Sequence, residues 1–346
     1  MMGTAIGLFM CSCSANKAGH SFFQYYDEVM RIHLTDDEKV EGAALSTDRR
    51  QIVAAVDVEE EETLRVWDVM LREQTQIIKF EDTLGASLHF SPDGEFLLAY
   101  SGDSVTAYDV AADYRLMWRY EVDTYQIRHT LIGTQGRFIE DGRTFLSDGL
   151  IWDVGHTIPP APRRMAVKNG FGAYVPLTSS LFILHYPGRG GTLEQVSLPG
   201  GDTGRRVTLS TDRGLDMEGR LPHVDAMFIF AASRSLLAVD LQNQKIGLVF
   251  DTETLRLHNV WEFPDSLGSS MPIVLALDPN TDRLLWSGIV FNEEREDLSL
   301  LISPLDGRVV ESAKDVIRTI SWSSDNCFMV QGGDDAIVLL RRRARC

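Results

Sequence analysis

The side chains best placed to do chemistry in this sequence are acids. Glu59, Glu60, Glu61 and Glu62 form an unbroken run, and Glu293, Glu294, Glu296 and Asp297 form a second, interrupted only by Arg295. Clustered carboxylates can steer and hold a basic partner, coordinate a hard cation, or act as general acid and base. A calcium loop needs spaced Asp or Asn around a turning Gly, a pattern neither run has, so no metal is assigned. Catalysis needs a positioned partner group. The chain has no Gly-x-Ser-x-Gly elbow, no Walker loop, no His-Glu-x-x-His and no Gly-x-Gly-x-x-Gly after a strand, so no catalytic residue and no cofactor are assigned. The histidines are scattered, with His33, His89 and His185 set in strands, where packing or an edge position explains them. Cys11 and Cys13 supply only two of the roughly four ligands of a structural zinc site. Binding is the reading that remains, and these eight acids are its candidate residues.

Composition narrows the partner. The chain has 346 residues and a formal charge of −17, a field that repels phosphate backbones and anionic lipid headgroups. A protein partner with a basic segment is therefore expected, with no nucleic acid and no integral membrane association, and the protein is expected to be monomeric by itself. With 44% apolar residues the chain can bury a large core, and its four cysteines are too few and too terminal for a disulfide framework. Residues 1–19 read as an apolar leader, disordered or processed, too short for a membrane span of ~20 residues. Residues 20–346 read as one domain. The lack of an Asn-x-Ser/Thr sequon points to the cytoplasm; secretion or lipid attachment through Cys11 or Cys13 is the alternative. Arg341, Arg342, Arg343 and Arg345 form a basic tail, read as solvated.

The elements that position these acids read as all-β. Short runs rich in Val, Ile, Leu, Phe and Tyr alternate with turn clusters, without an amphipathic stretch of helical period longer than about ten residues. The runs repeat. Phe90-Ser-Pro-Asp93-Gly94 leads into Phe96 to Tyr100, and Phe138-Ile-Glu-Asp141-Gly142 leads into Thr144 to Ser147. Leu45-Ser-Thr-Asp48 and Trp322-Ser-Ser-Asp325 follow the same plan, as do weaker copies near Phe230 and Leu277. Each pair of strands is followed by a third that ends on an aromatic-Asp step: Trp67-Asp68, Tyr108-Asp109, Trp152-Asp153 and Phe250-Asp251. The first three steps recur at roughly 40–45 residues and the fourth comes two such intervals later; a fourth apolar run follows each. A four-stranded unit of that length is the signature of a propeller blade, which buries both faces only by stacking on its neighbours.

Trp67-Asp68, Trp152-Asp153 and the Phe90-Ser-Pro-Asp-Gly turn resemble the WD40 propellers, most strongly over residues 40–155. The resemblance implies a rigid ring that displays loops to protein partners. The sequence departs from that family in having no Gly-His pair ahead of the first strand of any repeat; Gly155-His156 falls after the Trp-Asp step.

Units are expected at 40–80, 84–122, 125–160, 163–210, 222–264 and 270–313, with a last one from Ile317 that lacks an outer strand. The unpaired run Val29 to Leu34 is expected to fill that place. The fold class is thus a seven-bladed β-propeller of four-stranded antiparallel blades, its ring closed by an N-terminal strand pairing into the last blade. In such a meander the second-to-third and fourth-to-first connections fall at one end of every blade. Both acidic runs lie there, with Asp57, Asp103, Asp148, Asp240, Asp334 and Asp335, so one face is expected to be acidic. The expected function is a non-enzymatic interaction platform. A propeller hydrolase or metal-assisted enzyme with its site at the central channel is the alternative, because a channel can gather residues far apart in sequence.

Overall fold

Ile52-Val-Ala-Ala-Val56 illustrates why this chain forms sheets stacked on both faces. In a strand, alternate side chains point to opposite sides, so a run that is apolar at every position must be covered on both. All five of these residues are buried: Ile52, Ala54 and Val56 belong to one cluster, Val53 and Ala55 to another.

The computed structural model describes residues 25–59, 61–80, 87–101, 104–122, 131–132, 137–139, 143–147, 150–154, 161–164, 170–175, 180–185, 192–198, 202–208, 228–232, 236–241, 246–262, 269–278, 281, 283–291, 295–314, 316–323 and 325–343. Among them every regular element is a strand. After β1 (Tyr26–His33), the first sheet holds β2 (Glu38–Leu45), β3 (Gln51–Val58), β4 (Glu61–Asp68) and β5 (Glu73–Lys79), in that order. The second holds β6 (Ser87–Phe90), β7 (Phe96–Tyr100), β8 (Ser104–Asp109) and β9 (Arg115–Glu121). β10 (Leu131–Ile132) precedes the third sheet, β11 (Arg137–Phe138), β12 (Thr144–Ser147), β13 (Leu150–Asp153) and β14 (Arg163–Arg164). The fourth holds β15 (Gly170–Val175), β16 (Ser180–His185), β17 (Thr192–Ser197) and β18 (Asp202–Thr208); the fifth holds β19 (Phe228–Ala232), β20 (Leu236–Leu241), β21 (Ile246–Asp251) and β22 (Leu257–Glu262). The sixth is β23 (Ser269–Leu277), β24 (Leu284–Phe291), β25 (Arg295–Ile302) and β26 (Val309–Ala313). The seventh is β27 (Ile317–Trp322), β28 (Phe328–Gly333) and β29 (Ala336–Arg342), completed by β1. The N-terminal strand pairs antiparallel to β29 from Tyr26↔Arg342 to His33↔Ala336, as its unpartnered apolar run predicted.

The expectation of four antiparallel strands throughout needs one correction. Leu131 and Ile132, which fall inside the unit expected at 125–160, pair parallel to Gly170 and Phe171 of β15 and make the fourth sheet five-stranded. Phe138 opens the third sheet instead, packing edge-to-face on Phe145 with ring centroids 5.3 Å apart.

Buried clusters join neighbouring sheets. Trp67, Val40 and Ile52 of the first sheet pack with Val330, Ile337 and Leu339 of the seventh, and Leu64 and Val66 pack with Leu97 and Tyr108 of the second. Trp118 meets Phe145 and Trp152 across the second and third, and Ile151 meets Leu181 and Ile183 across the third and fourth. Val249 meets Trp286 across the fifth and sixth, and Leu285 and Leu301 meet Met329 across the sixth and seventh. β15 lies beside β19. Trp118 and Trp286 are buried in these clusters.

The repeated turns are built alike. Ser46, Ser91 and Ser323 each donate a hydroxyl hydrogen bond to the Asp two residues on, at 2.6–2.7 Å. Each hydroxyl also accepts the amide five residues on, from Gln51, Phe96 and Phe328. The residue after each Asp has positive φ: Arg49 at 65°, Gly94 at 77° and Asn326 at 57°. The aromatic-Asp steps are explained in the same way. Trp67, Tyr108, Trp152 and Phe250 are buried between sheets, while Asp68, Asp109 and Asp251 accept amides of the following turn. Cys327 is disulfide-bonded; the other three cysteines lie outside the described residues.

Candidate functional site: an acidic end on the sixth, seventh and first sheets

The first-to-second and third-to-fourth turns of the first and seventh sheets lie at one end, where Arg49 and Asp325 form an ion pair across the sheets. The opposite end carries the β1–β2, β3–β4 and β28–β29 connections and the starts of β25 and β27, and this is where acids gather.

Two β-bulges set its geometry. A bulge inserts one unpaired residue and re-aims its side chain. In β2 the register shifts between Val40 and Gly42, which leaves Glu41 as the extra residue; in β27 it shifts between Ile317 and Thr319, which leaves Arg318. Arg318 Nε donates to Asp334 Oδ1, and the guanidinium is held protonated, burial opposing this and Asp334, Glu41 and Asp297 favouring it. Burial pushes the half-buried Glu41 carboxyl above the usual range; Asp57 adds to the rise and Arg318 opposes it. The backbones come very close here. A Cβ on Gly332 would sit 2.6 Å from Val40 Cγ1 and 2.7 Å from Thr319 Cγ2.

The candidate acids are distributed unevenly. Glu59 is exposed at the β3–β4 turn with φ of 52°, and Glu61 is exposed at the start of β4. Glu62 faces inward and is 5% exposed, directly opposite Asp57, which is 8% exposed. Asp57 Oδ1 is buried without a hydrogen-bond partner. Glu296 and Asp297 lie at the start of β25, Glu296 3.9 Å from Lys314 Nζ and Asp297 3.6 Å from Arg295 Nε. Glu60, Glu293 and Glu294 lie outside the described residues, as do Asp103 and Asp148. So Glu59 and Glu61 share an edge of the first sheet, and Asp297 joins Glu41 and Asp334 around Arg318.

Sequence reasoning did not pick out Glu41, Arg318, Glu38 or Asp37. Thr35 ties the last two down: its amide donates to Glu38 Oε2 at 2.8 Å and its hydroxyl to Asp37 Oδ1 at 2.5 Å. Burial alone would raise the Glu38 carboxyl, but the Thr35 amide and the Arg65 guanidinium outweigh it and hold it low.

Among the described residues, no group of three or more His, Cys, Asp and Glu has the spacing to hold a metal ion. His33 and His258 are exposed, and His89 sits 3.2 Å from Ser87 Oγ with its ring 5.5 Å from that of Phe145. No described helix is long and apolar enough to cross a membrane. No protein-family profile matches this chain, and no characterised protein matches it in sequence.

Proposed function

We propose that the protein is a non-enzymatic interaction platform, a WD40-like seven-bladed propeller whose acidic end recruits a basic segment of a protein partner. The ring reading is supported by the chain of contacts: each sheet meets the next, the fourth meets the fifth through β15 and β19, and the seventh returns to the first through Trp67, Ile52 and Leu339. The β1–β29 pairing supplies the outer strand that the last blade lacks.

The observation that carries the functional reading is the exposed, uncompensated charge at Glu59 and Glu61. Neither carboxylate has a hydrogen-bond or ion-pair partner among the described residues, so the fold gives no reason for them, and a like-charged pair is a steering field for cations. The test is binding of a fluorescein-labelled peptide of alternating Arg, Lys and Gly to the full chain, at low and at physiological salt, beside a peptide with Glu in place of each basic residue. Binding of the basic peptide alone, weakened by salt and lost on the double reversal Glu59→Lys with Glu61→Lys, is expected. Equal binding by the reversed variant overturns the reading.

The cytoplasmic location rests on the absent sequon. The Cys327 disulfide favours the alternative, secretion or a lipid anchor, because disulfides persist in oxidising compartments. Thiol counting on protein isolated from its native source, with alkylation before lysis, decides between them: Cys327 blocked by alkylation places the protein in the cytoplasm.

A further inference from the structure

Burying a carboxylate without a hydrogen bond or a counter-charge is costly, and an unsatisfied oxygen in a native core asks for a reason. Asp57 presents that case. It is 8% exposed, its Oδ1 has no hydrogen-bond partner, and the residue opposite it on β4 is a second buried acid, Glu62. On the other side its register partner is Lys39, whose ammonium forms no ion pair with it within 4.0 Å. The charge of Asp57 reaches Glu41, the residue that the β2 bulge turns out of the strand's alternation. Two cations act on Glu41, Arg318, which is bound to Asp334, and Lys39. The fold thus concentrates negative charge at Glu41 and Asp57 and leaves an inward oxygen unmatched.

We propose that Glu41 and Asp57 form a seat for the cationic head of a single lysine or arginine side chain, delivered by the basic segment that the acidic rim attracts. The inference rests on the platform reading and names the residues at which it becomes specific. An ammonium or guanidinium group brings several donors on one head, so it can satisfy Asp57 Oδ1 and pair with Glu41 together. Exposed rim charges steer, whereas a partly buried, desolvated pair fixes register and slows dissociation. Glu59 and Glu61 accordingly set the rate of arrival, and Glu41 and Asp57 set the residence time.

The test uses the full chain and three blocked pentapeptides, Gly-Gly-X-Gly-Gly with X as Arg, Lys or Gln, followed by NMR shift perturbation. The Arg or the Lys peptide is expected to bind, the stronger of the two identifying the preferred head, and the Gln peptide is not. Glu41→Gln and Asp57→Asn should each weaken binding about tenfold or more, while Glu73→Gln, which removes the same charge at the opposite end of the first sheet, should change it by less than about twofold. If Asp57→Asn does not fold, as judged by its urea midpoint, Glu41→Gln at its half-buried position carries the test. Equal binding of the Gln peptide, or equal loss in Glu73→Gln, overturns the seat. If the longer basic peptide binds and is lost on rim reversal while Glu41→Gln and Asp57→Asn leave it untouched, the seat is wrong and the platform stands. If neither peptide class binds, both are wrong.

Discussion

The two ends of the first and seventh sheets use carboxylates in opposite ways. At the turn end, Asp48, Asp68 and Asp325 accept hydroxyls and amides of their own turns, and Asp325 also pairs with Arg49. The chain could not make these turns as well without them. At the acidic end, Glu59 and Glu61 stand in solvent and Asp57 is buried with an unmatched oxygen. Exceptions there are Asp37 and Glu38, held by Thr35, and Asp334, bound to Arg318. An acid that the local backbone explains is evidence about folding; one that it does not explain is evidence about a partner.

The largest effect is expected at Gly332, where a methyl group would overlap Val40 and Thr319 beside both bulges. Gly332→Ala is expected to cost about 1–3 kcal/mol in urea denaturation and to disturb Glu41 and Arg318 together. A neutral result would mean that the two bulges are not held by this close approach. At the turn end, Ser91 is fully buried with its hydroxyl linked to Asp93 and the Phe96 amide, so Ser91→Ala should cost about 1–2 kcal/mol. Glu59→Gln and Glu61→Gln, by contrast, should each stay within about 0.5 kcal/mol of the parent, because nothing in the fold depends on them. Destabilisation by either of these two that matches Ser91→Ala would erase the distinction between the ends.

Protonation separates Glu41 from the carboxylates that the backbone and hydroxyls hold. Thr254 holds the Asp251 carboxyl below its ordinary value through its hydroxyl and amide; at Asp325 burial pushes upward, but the Ser323 hydroxyl, the Cys327 amide and Arg49 outweigh it. Groups depressed on folding stabilise the native state above their unfolded value, and that contribution is lost as pH falls through the folded one. Glu41 runs the other way. Its native carboxyl, raised by burial and by Asp57, binds a proton more readily than the unfolded chain does, so its contribution to stability falls as pH rises from the ordinary glutamate value through the raised one. Urea midpoints measured from about pH 4 to about pH 8 should therefore rise less steeply for the parent than for Glu41→Gln. Parallel profiles would remove Glu41 from the account. This is the smallest of the expected effects.

How much of this was legible in the sequence depends on whether a feature is local. The Ser-x-Asp turns and the aromatic-Asp steps are local: the hydroxyl, the carboxylate and the amides they bind lie within five residues, so the pattern and its reason appear together. The pairing of β1 was legible because a strand without a partner at one end of the chain matched a vacancy at the other. β10 was not, because its two residues are as apolar as a first strand and only the tertiary partner decides which sheet takes them. The inward turn of Glu62 and the bulges at Glu41 and Arg318 were hidden for a related reason. A run of four glutamates reads as a loop, yet the β3–β4 hairpin is tight enough that Glu61 already pairs with Val58, and alternation then sends Glu62 inside.

The pairing of Tyr26–His33 with Ala336–Arg342 also fixes a schedule. A side chain of this strand, Asp27, bonds Arg343, 316 residues later, so the first strand leaves the ribosome long before its partner exists. Throughout synthesis the edge that β1 will cover is absent and β1 itself is an exposed template for other strands. Ala336–Arg342 complete the seventh sheet, and a chain interrupted before them would carry nearly all of the other strands and still have no place for β1.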